Sequence, residues 1–155
     1  MDDHLNSLYE TDALIWTETQ IALLRAGQFD QLDLENIISE LGYQVRKDKN
    51  EVASRLCGLM THLLKYQFQT QRRSRSWVST IIQHRIAILG IFNQMPSLRP
   101  HIDEYVAYYY PKAARAAARE TKLSRTVFPA ENPYTVEQIL DEEFFPGENE
   151  KAVEP

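Results

Sequence analysis

Apolar residues recur along this chain every three to four positions, and no stretch alternates apolar and polar in steps of two. That period predicts α-helix throughout and no strand. Ser7-Leu8-Tyr9-Glu10 has the pattern of a capping box and Gly27 supplies a stop, so the first helix is expected from about Leu8 to Ala26. On a helical wheel Leu8, Ile15, Thr19, Ala22, Leu23 and Ala26 share one face. Leu14, Ile21 and Leu24 point the other way, so this helix is expected to be sandwiched or to pack on a partner chain, which leaves a homodimer open.

After GQFDQ, Asp33 is placed to cap the run LENIISEL. One stripe then holds its phase through Leu34, Ile37, Ile38, Leu41, Val45, Val52, Leu56, Leu59, Leu63 and Tyr66. It predicts a single long helix from about Leu34 to Gln67, which Gly42 and Gly58 each weaken by up to ~1 kcal/mol relative to Ala. A polar loop, QTQRRSR, leads to a third helix over about Ser76–Gln94, with Val78, Ile81, Ile82, Leu89 and Phe92 inward and Pro96 closing it. The fourth opens near Ser97 and keeps Leu98, Ile102, Tyr105, Tyr109, Ala113 and Ala116 in phase as far as Leu123. Pro111 lies on the opposite side, which predicts a kink in place of a break, with the Ala107 carbonyl losing its partner. Thr135 and Gln138 form a second capping box, opening a short helix through roughly Phe144. The expectation is therefore an all-α fold: a single helical domain over 1–145, a bundle of four main helices and a short C-terminal one, followed by a disordered tail over 146–155.

Composition adds constraints. The chain has 155 residues, 43% of them hydrophobic and 25% charged, with no apolar run near the ~20 residues that cross a bilayer. The acidic opening MDDHLNSLYE lacks the features of a secretory signal, so a cytoplasmic location is expected. Cys57, the one cysteine, sits in RLCGLM and is expected to be buried and inert. The net charge of −5 conceals a segregation: −7 over 1–51, +7 with no acid over 52–102, and −5 over 103–155. The basic stretch peaks at QRRSRSW, where Arg72, Arg73 and Arg75 could grip phosphates and Trp77 could stack on a base or a guanidinium. Neutralisation of these charges by the acidic helices, with Trp77 sealing the core, is the alternative.

The ordered series LENIISEL, HLLKYQ, QRRSRSW, MPSLRP and FPAENPYTVEQILDEEFFP resembles the bacterial family known as domain of unknown function twenty-nine, from about Leu8 to Pro146. The resemblance implies an almost entirely helical, soluble protein and supplies no activity. This chain departs from the family at Tyr66, where Trp is usual, and at Asn132, where Cys is frequent.

Some polar residues interrupt apolar stripes. Arg85 lies between Ile82 and Leu89, Asp12 on the first helix's stripe and Glu120 on the fourth's. A buried guanidinium needs a carboxylate or several carbonyls, so Arg85 is expected to pair with Asp12, Glu120 or both. The same cluster could instead floor a polar pocket. His62 and Lys65, three apart, can face one groove as base and anion clamp. Glu40 stands 22 residues before His62 on one predicted helix, ~33 Å away, and cannot join them. The spacing of His4, His62, His84 and His101 matches no metal motif, no nucleotide-cradling glycine loop or G-x-S-x-G occurs, and no cofactor is expected. In Tyr108-Tyr109-Tyr110 only Tyr109 falls on the stripe, leaving the other two near the surface.

Two readings of function remain. One is a non-enzymatic interaction module presenting the Arg72–Trp77 loop to an acidic protein or nucleic acid. The other is a small hydrolase or phosphate-handling enzyme with a pocket around His62, Lys65 and Arg85.

Overall fold

A computed structural model describes residues 3–147; the tail expected to be disordered lies, from residue 148 on, outside the described residues. Among these residues there are six α-helices, four 3-10 turns and no strand: α1 Asp3–Thr11, α2 Ala13–Arg25, α3 Leu34–Phe68, α4 Arg75–Gln94, α5 Ile102–Thr121 and α6 Val136–Leu140. None of the helices is long and apolar enough to cross a membrane. The backbone forms two compact units, Met1–Asp48 and Lys49–Pro155, with α3 contributing to both.

The expected first helix is two. Asp12 adopts a non-helical φ of −149°, and its carboxylate accepts a hydrogen bond from the Ile15 backbone at 3.1 Å, so it caps α2. α1 therefore begins at Asp3 and Ser7 lies inside it, not at a cap. Gly27 performs the expected stop: at φ +69° its N–H reaches the Leu24 carbonyl while that of Gln28 reaches Leu23. The long helix α3 is continuous as predicted, with Asp33 capping Asn36.

The first unit reverses the usual segregation of side chains. Among the described residues, its one buried hydrophobic residue is Trp16. Around Trp16 lies a polar network: its indole donates to Asp33 Oδ2 (2.9 Å), Asn36 donates to the same carboxylate (2.8 Å) and to Asn6 (3.0 Å), and buried Gln20 accepts from the Asp33 backbone (2.8 Å). Tyr9 packs edge-on against Trp16 and donates to Glu40. Burial pushes the Asp33 carboxyl upward, but the bonds from Asn36 and Trp16 outweigh it and hold the group below its ordinary value.

The second unit has an ordinary apolar core. Leu56, Leu59, Met60 and Leu63 of α3 meet Ile81 and Ile88 of α4 and Val106 and Ala113 of α5, closed by Phe128, Tyr134 and Ile139. On α4 the inward stripe is Ile81, Arg85, Ile88 and Phe92, while Ile82 is exposed and Leu89 half-buried, so the stripe runs one position away from its expected centre. A 3-10 turn over Pro96–His101 precedes α5, so Leu98 and the α5 residues do not share one α-helical wheel. Tyr110, not Tyr109, enters the core and donates to the Pro129 carbonyl at 2.7 Å. α5 runs on through Pro111. The Thr135–Gln138 capping box forms with both of its bonds, but α6 stops at Leu140, short of Phe144.

Replacing Gly27 by Ala is expected to cost about 1 kcal/mol, because a Cβ is strained at positive φ. Loss of α2 helicity by hydrogen exchange, with α4 and α5 unchanged, is the accompanying signature.

Candidate functional site

The chain's basic loop is partly consumed by the fold. Arg73 donates through Nε to the Tyr66 carbonyl (2.7 Å) and through Nη2 to that of Pro146 (3.4 Å), with its guanidinium 4.3 Å from the Tyr66 ring centre. Trp77 is half-buried at the start of α4, which Ser74 caps, and carries the Lys65 ammonium 4.7 Å from its ring centre. Arg72 and Arg75 alone of the four stand exposed.

Arg85 is fully buried, but it does not form the expected ion pair. Its Nε donates to the Ile139 carbonyl (2.8 Å) and its Nη2 to that of Gln138 (3.2 Å), so it holds the C-terminal end of α6, while Nη1 has no hydrogen-bond partner. Burial lowers its affinity for the proton; nearby Asp141 and Glu142 oppose this. Asp12 is instead the α2 cap, and Glu120 pairs with Lys65 (2.9 Å). The reason lies in geometry that wheels cannot supply: α6 packs on α4 and brings main-chain carbonyls to the guanidinium.

His62 and Lys65 do converge, and Glu120 joins them. They belong to one side of the second unit, where α3 and α5 enclose a groove of about 420 Å³. The groove is lined by Ser54, Cys57 and His62 from α3 and by Tyr109, Lys112 and Glu120 from α5, over a floor of Ala53, Gly58 and Ala116. Arg85 is not among the lining residues. His62 Nδ1 lies 2.9 Å from the Gly58 carbonyl. A carbonyl only accepts, so Nδ1 carries the hydrogen and Nε2 holds the basic lone pair. Burial first, and then Lys65, hold His62 below its ordinary value, against the pull of the Gly58 bond and Glu120. Burial also lowers His84, whose ring lies 6.3 Å from that of His62. A Cβ at Gly58 would come within 2.7 Å of His84 Nε2, so that glycine makes room for the ring, a role helix propensity does not reveal. Cys57 is half-buried in the groove wall, not enclosed in the core; burial pushes its thiol up and Lys112 pulls it down. Among the described residues, no three His, Cys, Asp or Glu side chains gather as a metal site.

A second feature, which the phase of the α3 stripe alone does not reveal, lies on the first unit. Leu34, Ile38, Leu41 and Val45, at i, i+4, i+7 and i+11, form one straight stripe and are all more than half exposed, Ile38 at 67%. Leu14 (68% exposed), Ile21 and Leu24 form another on α2, the face that pointed away from the expected core. Its signal was present in the sequence, in a helix apolar on both sides.

The molecule is thus an all-helical protein with a groove on one unit and bare apolar stripes on the other. The chain belongs to the family described as "Domain of unknown function DUF29", whose model matches residues 8–145. No curated protein and no solved structure matches it.

Two outcomes follow. Arg85→Ala should lower stability by about 3 kcal/mol in a urea melt, because it removes a large buried side chain and strands two carbonyls. Arg85→Lys should recover little of this, since one ammonium lacks the planar fork that serves both. The lowered His62 and His84 values also predict a pH effect. The unfolded chain binds protons at these rings more readily, so their contribution is complete above about pH 6.5 and is lost as pH falls through the lower folded values. The urea midpoint should drop between about pH 7 and about pH 5, and His62→Gln with His84→Gln should flatten that drop.

Proposed function

We propose that the protein is a non-enzymatic interaction module that docks a partner protein through the apolar stripes of its first unit. The observation that carries this reading is the inversion of that unit: one buried hydrophobic residue among those described, Trp16, against exposed stripes on both α2 and α3. Covering such surface is strongly favourable, at ~25 cal/mol per Å² of apolar area. The chemistry of the partner is argued from charge. Residues 1–48 contain ten acids and three bases, so the stripes are framed by a net −7. A helix with an apolar face flanked by Lys and Arg complements both features, whereas a second copy of the same face would oppose −7 with −7. The basic loop offers less for docking an acidic partner or nucleic acid, since Arg73 and Trp77 are held by internal contacts.

The test is a titration of the full chain against a labelled amphipathic Leu/Lys helical peptide, its Leu/Glu counterpart, and single-stranded RNA. The Leu/Lys peptide should bind, and the charge-neutral double substitution Ile38→Ser with Leu41→Ser should weaken it at least ~10-fold, the equivalent of one buried side chain. Equal binding of the Leu/Glu peptide, indifference to the double substitution, or a dimer of the unmodified chain that the substitution dissolves would each overturn the reading. RNA binding that Arg72→Ala with Arg75→Ala abolishes would transfer the function to the basic loop.

A further inference from the structure

The groove between α3 and α5 has oppositely charged ends. Thr61 Oγ1 donates to the Ala113 carbonyl and Gln69 Nε2 to that of Thr121, so later positions on one helix face later positions on the other and the two run in the same direction. Lys112, beside Cys57, therefore precedes Glu120 along the groove by eight residues of α5, or ~12 Å along its axis, and His62 lies between their levels. Lys112 has no ion-pair partner among the described residues; its ammonium lies 6.0 Å from the centre of the Tyr109 ring. At the other end Glu120 is bound by Lys65 through Oε2 only, and in that pair the lysine is 10% exposed and the glutamate 46%. The pair therefore presents its negative member to solvent. Beside it the neutral His62 offers Nε2 as a second acceptor. Between the two charges α5 presents Ala116, a short side chain without charge.

The geometry points to a binding site for a small linear zwitterion, with a carboxylate on Lys112, an ammonium between Glu120 and His62 Nε2, and a short methylene chain over Ala116. A ligand with only one charged end would leave the opposite group unmatched, and a phosphate dianion would face Glu120 without a second free cation. This site is separate from the apolar stripes of the first unit and does not depend on the role proposed for them.

The probe is 6-aminohexanoate, titrated into the full chain and followed by the ring resonances of His62, with hexanoate, hexylamine and glycine as comparisons. Saturable shifts are expected for 6-aminohexanoate, with each comparison at least ~10-fold weaker. Lys112→Met should weaken binding by a similar factor, and Ala116→Leu, which fills the floor and leaves every charge in place, should abolish it. Unchanged melting temperatures of both variants would show that the fold is intact; should Ala116→Leu fail to fold, Lys112→Met decides. Absence of saturable shifts at tens of millimolar, equal binding of hexanoate, or wild-type affinity in Lys112→Met would overturn the assignment.

Discussion

A guanidinium with no access to water organises the C-terminal third of this protein. Arg85 occupies the position on α4 where a hydrophobe would complete the stripe, and burying its charge is tolerable only because α6 brings two carbonyls to it. The arrangement then extends outward. Phe145 lies over the Arg85 guanidinium and packs against Tyr66, which also carries the guanidinium of Arg73, and Arg73 in turn holds the Pro146 carbonyl. Two arginines and two aromatic rings thus fasten the segment after α6, including a glycine at φ +81° whose Cβ would collide with Arg73. Two arginines of the middle segment, Arg73 and Arg85, are in this way structural. Arg73 makes one part of the basic loop a clasp, while Arg72 and Arg75 remain exposed.

The two units distribute their residues by opposite rules. The second hides most of its leucines in an apolar core and leaves a polar groove at the surface. The first centres on the Asp33 carboxylate, bound by Trp16 and Asn36, and leaves Leu14, Leu34, Ile38 and Leu41 exposed. Hydrogen bonds of this kind contribute only ~1 kcal/mol each, so such a unit gains more from covering its apolar stripes than from its own interior. Acidic residues frame those stripes and, on the reading proposed above, select the partner that covers them.

Fold class, the ends of most helices and the family were legible in the sequence, because each rests on neighbours in the chain. The period of apolar residues, Asp33 before α3, Gly27 after α2 and the Thr135–Gln138 box all act within one or two turns. Asp12 was legible in kind, as a polar residue out of place, but not in role: a cap and a core carboxylate look alike on a wheel. Which tyrosine of the Tyr108–Tyr110 run is buried was decided by the packing of α5, whose inward face carries Val106, Tyr110 and Ala114.

Among the site residues, the convergence of His62 and Lys65 could be read from their spacing, whereas Glu120 joined them only through the packing of α5 on α3. Arg85 was recognised as a buried charge in need of partners, yet those partners were backbone carbonyls, which no residue letter encodes. The α3 stripe gives the plainest division. The sequence by itself determined that Leu34, Ile38, Leu41 and Val45 share a face with Leu56, Leu59 and Leu63, because helical phase is local. Only the tertiary structure decided that the first four meet solvent and the last three a core, because burial depends on what other elements bring to that face.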